Sequence, residues 1–443
     1  MSIPRMTDRC FLLLLALLAL LPRVGLNLTL SAEDFLKIDG RDYQRIAHHL
    51  AAGHGFAIGS YRWFEPIPPD PPDRHPDFAR PPLLPAVGAV LYGLPGDWTI
   101  WARVVSILLG VGLVLGVQRL ARSLLGVGVG RLAGAFFAVY PVAIFYGAHW
   151  STESLFALCL VLGVFSLVRL RASGDRRFAA LAALCFGVAT LARPTGLVYL
   201  VGMLPLVVIG SGRRRRFQHF ALYALVGCAV LTPWTVRNFR LTGVPNPLTF
   251  FGSYNAWLGM NEGMYRMYRA GEHPEFLVHM QKLYEEDLKQ HVGRMEEEGC
   301  FAPIAQARYW RREARSFIRS NPEKAIYILG KRLVHFFRPW PNRASVSPWV
   351  SWIAVLSTVP VFALVMIGLI AHPPARSPYL LVPCILALVA AMPFVFHIRF
   401  RFPMFEPFAV ILAAAGAVAL GAGLSALRAG RSRSPLPVRR QAQ

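Results

Sequence analysis

The stretch DGRDYQRIAHHLA, residues 39–51, begins with acidic residues and continues with apolar side chains spaced three and four residues apart. This spacing predicts a short amphipathic helix over residues 40–52, with Asp39 at its N-cap position and Gly53 where the helix ends. An aspartate at an N-cap needs no catalytic role. From this stretch alone, a structural and a catalytic function are equally well supported.

Composition places the stretch in a membrane protein. Hydrophobic residues make up 55% of the 443 residues and charged residues only 16%, which is too apolar for an ordinary soluble enzyme. The formal net charge of +23 would suit nucleic acid, but the arginines stand mostly between apolar runs rather than on one polar face. We therefore expect a polytopic all-α membrane protein that does not bind nucleic acid.

Apolar segments long enough to cross a hydrocarbon core of about 30 Å recur along the chain. They occupy residues 11–26, 98–118, 132–148, 151–169, 178–192, 195–210, 218–236, 349–371, 379–396 and 403–425. The first lacks a small-x-small cleavage site, so we expect an uncleaved span rather than a signal peptide. The sequence predicts about ten transmembrane helices.

Arginine clusters between these segments predict the orientation. The positive-inside rule places alternate loops in the cytoplasm, which leaves residues 31–97, 237–348 and 397–402 on the outer face. The apolar segment 83–94 is short, and a crossing there would move every later arginine cluster to the other side. We expect it to lie in the interface or to re-enter the membrane.

The same segments divide the chain. We expect four parts: a catalytic membrane module over residues 1–236 with a first loop at 31–97, an extracytoplasmic helical segment over 237–348, C-terminal transmembrane helices over 349–427 and a disordered basic cytoplasmic tail over 428–443. Juxtamembrane helices are expected in the first loop. Helical periodicity in the helical segment is clearest over 308–318 and 323–337.

Charged residues that this topology brings to one membrane face form the candidate site. They are Asp39 after the first span, Arg80 before a Pro-Pro pair, and His397, Arg399 and Arg401 in a short connection. Arg399 and Arg401 would share a side if that connection were extended. Interfacial anchoring explains each group by itself, but their common depth favours a site for a lipid phosphate.

This combination suits transfer of a group from a lipid phosphate. Arginine offers phosphate a planar bidentate fork and stays charged, so Arg80, Arg399 and Arg401 are expected to bind the donor phosphate. A carboxylate takes the proton from the attacking acceptor, a step that contributes about 10²- to 10⁴-fold. Glu153, at the start of a span, and Arg193, in a short turn, are secondary candidates for the cavity, although capping or anchoring explains them nearly as well. Tyr43 and His397 are secondary candidates too.

Several short motifs resemble, in order, those of the GT-C glycosyltransferases. They are Asp39-x-x-x-Tyr43 with its helix, RPPLLP at 80–85, STES at 151–154, ARPTG at 192–196, TPWTVRN at 232–238, NAWLG at 255–259 and RFRFP at 399–403. The nearest branch is the protein O-mannosyltransferase and aminoarabinose-transferase-like group, which includes lipopolysaccharide-core enzymes of the Rgt type. The motifs extend over nearly the whole chain, so the resemblance implies the GT-C fold.

The resemblance also implies roles for individual residues. In that family the first-loop aspartate is the catalytic base and a basic residue before the loop proline contacts the donor phosphate; these roles fall on Asp39 and Arg80. Relatives often carry an acid directly after the aspartate, where Gly40 stands here, and this leaves Asp42 and Asp34 as alternative bases. The implied donor is a polyprenyl-phosphate sugar, and no catalytic metal or other cofactor is required.

The resulting hypothesis is an inverting glycosyltransferase of the bacterial inner membrane with its site facing the periplasm. It would move a sugar from an undecaprenyl- or dolichyl-type phosphate to a lipid, a cell-envelope polysaccharide or a protein. The alternative is a transporter or a lipid or glycolipid flippase, for which broken helices and intramembrane charges are also expected. Transporters commonly show paired halves, and this sequence shows no internal repeat, which favours the transferase.

Overall fold

The chain begins with an apolar helix and a polar loop. A computed structural model describes residues 7–37, 39–71, 75–209, 212–270, 276–341, 347–393 and 398–431. Helix α1 (Asp8–Thr29) leads into the first loop, which holds α2 (Ala32–Phe35), α3 (Gly40–Ala51), the antiparallel pair β1 (Ala57–Ile58) and β2 (His75–Pro76), and α4 (Leu83–Leu91). Helix α4 is about 14 Å long at 1.5 Å per residue, so it is too short to cross the membrane, as predicted.

Apolar helices follow the first loop. They are α5 (Trp98–Leu125), α6 (Val127–Ala138), α7 (Pro141–Ala148), α8 (Thr152–Ser173), α9 (Arg177–Ala192), α10 (Gly196–Gly202), α11 (Leu204–Val208) and α12 (Arg213–Thr242). Helices α6 and α7 meet at a bend of 59°. Their buried faces form one continuous apolar core with α1 and with the C-terminal helices.

The helical segment has an apolar core of its own. It contains α13 (Phe251–Gly259), α14 (Glu262–Arg269), α15 (Phe276–Glu297), α16 (Pro303–Ser320) and α17 (Pro322–Phe336). The two predicted helices of this region lie within α16 and α17, apart from the last predicted residue, Phe337. Buried aromatic and methionine side chains fill the core, and Phe64 and Ala79 of the first loop pack into it. The first loop and the helical segment therefore share one interface.

The remaining helices are C-terminal. They are α18 (Pro348–Ala371), a 3-10 turn (Pro373–Arg376), α19 (Pro378–Ala391), α20 (Ile398–Met404) and α21 (Glu406–Arg431). Helix α21 continues four residues into the predicted tail. Residues 432–443 of that tail lie outside the described residues.

The spans differ in length from the expectation of ten full crossings. Among the described residues, six helices are long and apolar enough to cross a membrane, namely α1, α5, α8, α12, α18 and α21. If the bent pair α6 and α7 is counted as one span, the number is seven. The three other predicted spans appear as shorter apolar helices: α9, the pair α10 and α11, and α19. Pro205 at the start of α11 and Pro383 inside α19 lack the backbone N–H that a regular helix needs. The chain is an all-α multi-pass membrane protein.

A polar face of α1 supports the bend between α6 and α7. Arg23 is fully buried and donates to the carbonyl oxygen of Ala138, the last residue of α6, over 3.1 Å. Asn27 donates to the carbonyl oxygen of Ala148, at the end of α7, over 2.7 Å. Both carbonyls belong to helix ends, which lack an intrahelical donor. These bonds position the turn that precedes α8.

Candidate active site

Asp39 occupies the N-cap position of α3, but its side chain makes no capping hydrogen bond. Instead, Oδ1 lies 2.8 Å from Arg80 Nη2, and Oδ2 lies 2.5 Å from Arg399 Nη2. A capping carboxylate would turn toward the free N–H groups of the helix. The geometry therefore favours an electrostatic role for Asp39 over a capping role.

Gly40 allows α3 to begin against the turn that precedes α8. A Cβ at position 40 would lie 2.9 Å from the carbonyl oxygen of Trp150, closer than a real contact permits. The backbone N–H of Trp150 donates to the carbonyl oxygen of Phe35 over 3.1 Å and holds the two segments together. This close approach brings Asp39 near Glu153, and it explains why an acidic side chain would not fit at position 40.

Asp39 belongs to a continuous network in which carboxylates alternate with guanidinium groups. In order of contact, the members of this charge network are Asp77, Arg62, Asp42, Arg80, Asp39, Arg399, Glu153 and Arg193. They come from the first loop, the start of α8, the residue after α9, and α20. The tertiary structure thus assembles four carboxylates and four arginines whose formal charges cancel.

Of the two alternative bases, only Asp42 is in the charge network. Its Oδ2 accepts hydrogen bonds from Arg80 Nη2 at 2.8 Å and from Arg62 Nη2 at 3.2 Å. Asp34 instead pairs with Lys37 and accepts a hydrogen bond from the Ser31 hydroxyl over 2.8 Å. Asp34 therefore lies outside the network, in local contacts of α2.

The expectation that Arg399 and Arg401 share a side is wrong. Residues 398–404 form helix α20, in which side chains two residues apart point about 200° apart. Arg401 is fully buried; its Nε lies 2.7 Å from Glu406 Oε1, and its Nη1 donates to the carbonyl oxygens of Phe336 and Arg338. Arg401 thus joins α20 to α21 and to the end of α17 instead of the charge network.

Of the secondary candidates, Glu153 and Arg193 belong to the charge network, and Tyr43 lies beside it. Glu153 is fully buried; its Oε1 contacts Arg193 Nη1 at 2.6 Å and also Arg399 Nε, while its Oε2 has no hydrogen-bond partner among the described residues. The Tyr43 ring lies 5.8 Å from the Arg80 guanidinium carbon. Burial raises the pKa of Tyr43 to about 12, so the phenol is neutral. His397 lies outside the described residues.

Opposing effects set the electrostatics of Asp39. Burial by itself would raise the pKa of this carboxyl, but the guanidinium groups of Arg399 and Arg80 outweigh burial and hold the pKa well below its usual range. Asp39 raises the pKa of Arg80 in return, against the effect of burial. Asp39 is therefore an ionised carboxylate, and it is a weak base while both arginines contact it.

Sequence reasoning missed two members of the charge network, Arg62 and Asp77. Asp77 is buried, pairs with Arg62 at 2.6 Å, and accepts hydrogen bonds from the backbone N–H groups of Ala79 and Arg80. No motif marks either residue. A usable signal lay in the TPWTVRN motif, because its Arg237 donates to the carbonyl oxygen of Asp77 over 2.9 Å and fixes this part of the loop.

The described residues hold no group of three or more His, Cys, Asp or Glu side chains arranged to bind a metal ion. Each carboxylate of the charge network contacts at least one guanidinium group. This donor set suits an anion at the arginines better than a cation at the carboxylates.

Comparisons with known proteins agree with this fold. Residues 79–236 match a family model described as dolichyl-phosphate-mannose-protein mannosyltransferase. No curated protein sequence matches the chain. Among solved structures, the chain is similar to the archaeal oligosaccharyltransferase AglB from Archaeoglobus fulgidus in complex with an inhibitory peptide and a dolichol-phosphate. Its TM-score is 0.55 at 15% identity, and the alignment covers 98% of this chain and 52% of AglB.

Two further solved structures also match the chain. The apo form of the Archaeoglobus fulgidus oligosaccharyltransferase has a TM-score of 0.54 at 14% identity, with 97% of this chain and 52% of that chain covered. ArnT from Cupriavidus metallidurans bound to undecaprenyl phosphate has a TM-score of 0.38 at 19% identity, with 98% and 82% covered. The chain spans about half the length of the oligosaccharyltransferase.

The fold is therefore that of the GT-C membrane glycosyltransferases, and the predicted resemblance to this superfamily is confirmed. The family match covers the end of the first loop and the helices through α12, which include Arg80, Glu153 and Arg193 of the charge network.

Proposed function

We propose that the protein is an inverting glycosyltransferase that moves a sugar from a polyprenyl phosphate to an extracytoplasmic acceptor, with Asp39 as the general base. One observation carries the proposal: Asp39 is held between Arg80 and Arg399, which are 41 and 360 residues away in sequence, at a helix start that it does not cap. A carboxylate between two phosphate-binding groups is the arrangement that transfer from a lipid phosphate requires.

The donor class is inferred from the arginines and from similar proteins. The description of the matching family model names a dolichyl-phosphate sugar, and the structure of AglB contains a dolichol-phosphate. Arg80 and Arg399 keep side-chain exposures of 19% and 14%, so a phosphate can reach them. A phosphate bound there would compete with Asp39 for the same N–H groups.

This competition gives Asp39 its chemistry. When a donor phosphate takes a share of Arg80 and Arg399, fewer positive charges act on the Asp39 carboxylate, so its pKa rises and it becomes a stronger base. Binding of the donor thereby prepares the group that activates the acceptor. Without a donor, the arginines hold the carboxylate in an inactive pairing.

The reaction is a single displacement. The acceptor oxygen or nitrogen forms a bond to the anomeric carbon as the bond from that carbon to the phosphate oxygen breaks, which inverts the anomeric centre. The acceptor proton passes to Asp39, and the bonding electron pair leaves with the polyprenyl phosphate. Arg80 and Arg399 stabilise the charge that develops on the departing phosphate.

We assign the remaining parts of the chain by the same proposal. Residues 1–236 are the catalytic membrane module, 237–348 the acceptor-facing segment and 349–427 the C-terminal helices, and Arg399 contributes to the site from that last part. The arginine-rich loops, by the positive-inside rule, support a site on the outer side, which in a bacterial inner membrane is the periplasm. The acceptor is a lipid, a cell-envelope polysaccharide or a protein.

The test compares glycans and lipid-linked sugars in cells with the intact gene, the deleted gene and Asp39→Asn. We expect deletion and Asp39→Asn to remove the same glycan and to leave the sugar on its polyprenyl phosphate. In proteoliposomes, the purified wild type should release polyprenyl phosphate from a radiolabelled donor when cell-envelope extract is added. Movement of the labelled donor across the bilayer with no transfer, unchanged in Asp39→Asn, would instead identify a flippase.

A further inference from the structure

A pocket separate from the charge network lies where the first loop meets the helical segment. Its empty volume, counted together with the adjoining space that is open to solvent, is about 400 Å³. Its walls come from residues 64–79 of the first loop and from residues 250–310 of the helical segment. Among the described residues, its walls include no residue of a membrane-spanning helix.

The walls combine aromatic faces with a few polar groups. Phe64 and Tyr254 stack with ring centroids 4.5 Å apart, and Trp310 meets Tyr254 edge to face at 5.2 Å. Glu65 and Gln306 are polar groups among these walls. Flat aromatic faces with polar side chains near them suit a ligand that has a C–H face and a rim of hydroxyl groups.

One wall residue lacks a hydrogen-bond partner. Trp310 is 2% exposed, and its indole Nε1–H is buried with no acceptor among the described residues. A buried donor without an acceptor is unfavourable, because it has lost its hydrogen bond to water and gained none in the protein. A hydroxyl or ring oxygen of a ligand could supply this acceptor, whereas a hydrocarbon chain or a phenyl ring could not.

Two wall residues of the pocket adjoin members of the charge network. Ala79 lines the pocket and the next residue is Arg80, which contacts Asp39. On the same side, Glu65 Oε2 accepts the backbone N–H of Arg62 over 2.8 Å, and the Arg62 guanidinium contacts Asp42. A ligand in the pocket is therefore held by the same short loop segments that position the network arginines.

We propose that this pocket binds a saccharide unit of the acceptor. This inference rests on the proposed function, because only a transferase needs an acceptor beside Asp39. The occupant is the acceptor rather than the donor, since a polyprenyl chain would enter from the bilayer and every wall of the pocket belongs to a segment outside the spanning helices. The acceptor is thus a glycan or the sugar part of a glycolipid.

The test measures saccharide binding to the purified full-length protein in a zwitterionic detergent, because maltoside and glucoside detergents are themselves saccharides. The probes are methyl glycosides of glucose, mannose, galactose and N-acetylglucosamine, and the disaccharides maltose and cellobiose, followed by saturation-transfer NMR. Trp310→Phe keeps a ring and removes the N–H, and Gln306→Leu removes an amide from the wall. Gln290→Leu, at an exposed position of α15, is the matched control.

We expect at least one probe to bind, about tenfold more weakly in Trp310→Phe and Gln306→Leu, and equally well in Gln290→Leu. Thermal unfolding checks the fold, and Gln306→Leu decides if Trp310→Phe fails to fold. The proposal is overturned if no saccharide binds, if both variants bind like the wild type, or if N-acetylphenylalanine amide displaces a bound saccharide at lower concentration than any sugar does.

Binding of undecaprenyl phosphate, measured in the same samples, separates this proposal from the proposed function. We expect the lipid phosphate to bind equally to the wild type, Trp310→Phe and Gln306→Leu. Lipid-phosphate binding without saccharide binding overturns the pocket alone. Saccharide binding that Gln306→Leu weakens supports the pocket even if no lipid phosphate binds. Absence of lipid-phosphate binding would count against the donor site.

Discussion

Two arginines of one short helix, Arg399 and Arg401, have opposite environments. Arg399 is partly exposed and contacts two carboxylates, Asp39 and Glu153, that come from distant parts of the chain. Arg401 is fully buried; it contacts Glu406, backbone carbonyl oxygens and the ring of Phe362. One arginine therefore belongs to a charge network that a ligand can reach, and the other belongs to a helix junction that is closed to solvent.

The difference shows what an arginine needs to bind a substrate phosphate. Carbonyl oxygens cannot move aside for a ligand, and a buried pair that loses one member leaves a charge without compensation. Carboxylates of a partly exposed network can share their arginines with an incoming anion. We therefore expect substitutions of Asp39 and Arg399 in the charge network to affect activity, and substitutions at the Arg401 junction to affect folding.

The largest effect is expected at the base. Asp39→Asn should lower the transfer rate by about 10²- to 10⁴-fold, because the amide cannot accept the acceptor proton. The rate of sugar transfer in proteoliposomes measures this loss. Asp42→Asn is the matched control; it also contacts Arg80, and it should retain most of the rate. A greater loss in Asp42→Asn than in Asp39→Asn would identify Asp42 as the base.

The next largest effect is expected on stability, at the junction where Arg401 joins α20 to α21 and to the end of α17. Arg401→Ala should lower the free energy of unfolding by about 3–5 kcal/mol, because Glu406 would remain buried without its partner. Thermal unfolding in detergent measures the change. The double variant Arg401→Met/Glu406→Gln removes both charges and should recover part of the loss. If Arg401→Ala keeps its stability and loses donor binding, the distinction between the two arginines is wrong.

A smaller effect is expected when a lysine replaces Arg399, because the positive charge is kept and the planar guanidinium is lost. Arg399→Lys cannot contact Asp39 and Glu153 together, so the affinity for undecaprenyl phosphate should fall by about tenfold. Titration of the lipid phosphate measures the affinity. Arg312→Lys, at an exposed pair with Glu298, provides the control and should bind the lipid phosphate like the wild type.

The pH dependence sharpens the comparison. Arg399→Gln removes a guanidinium group that lowers the pKa of Asp39, so that pKa should rise. Because Asp39 accepts a proton only when it is ionised, the acid-side loss of kcat/KM should begin at a higher pH in this variant than in the wild type. Arg401→Lys should leave the acid-side loss where it is. An unchanged profile in Arg399→Gln would exclude Asp39 as the titrating base.

The smallest effect is expected outside the network. Asp34→Asn removes a carboxylate that contacts Lys37 and Ser31 at the surface, and the midpoint of thermal unfolding should stay that of the wild type. The transfer rate should stay within about twofold of the wild type. A large loss of activity with intact folding would return Asp34 to the candidate bases.

The sequence predicted the amphipathic helix after Asp39 and the two helices of the segment before α18. Local spacing determines such elements, because apolar side chains at three and four residues mark one face of a helix. The expected shared side of Arg399 and Arg401 failed for a related reason: the six residues between two apolar segments carry too little periodicity to distinguish a helix from an extended connection.

The sequence by itself determined that this is a multi-pass helical membrane protein, because long apolar segments can satisfy their backbone groups in a bilayer only as helices. It also marked Asp39 and Arg80 as charged residues close to the membrane surface. Only the tertiary structure decided which carboxylate meets which arginine, because Asp39 and Arg399 are 360 residues apart and contact each other through the packing of α3, α8 and α20. Charge pairing at that range depends on three-dimensional distance, which sequence spacing does not encode.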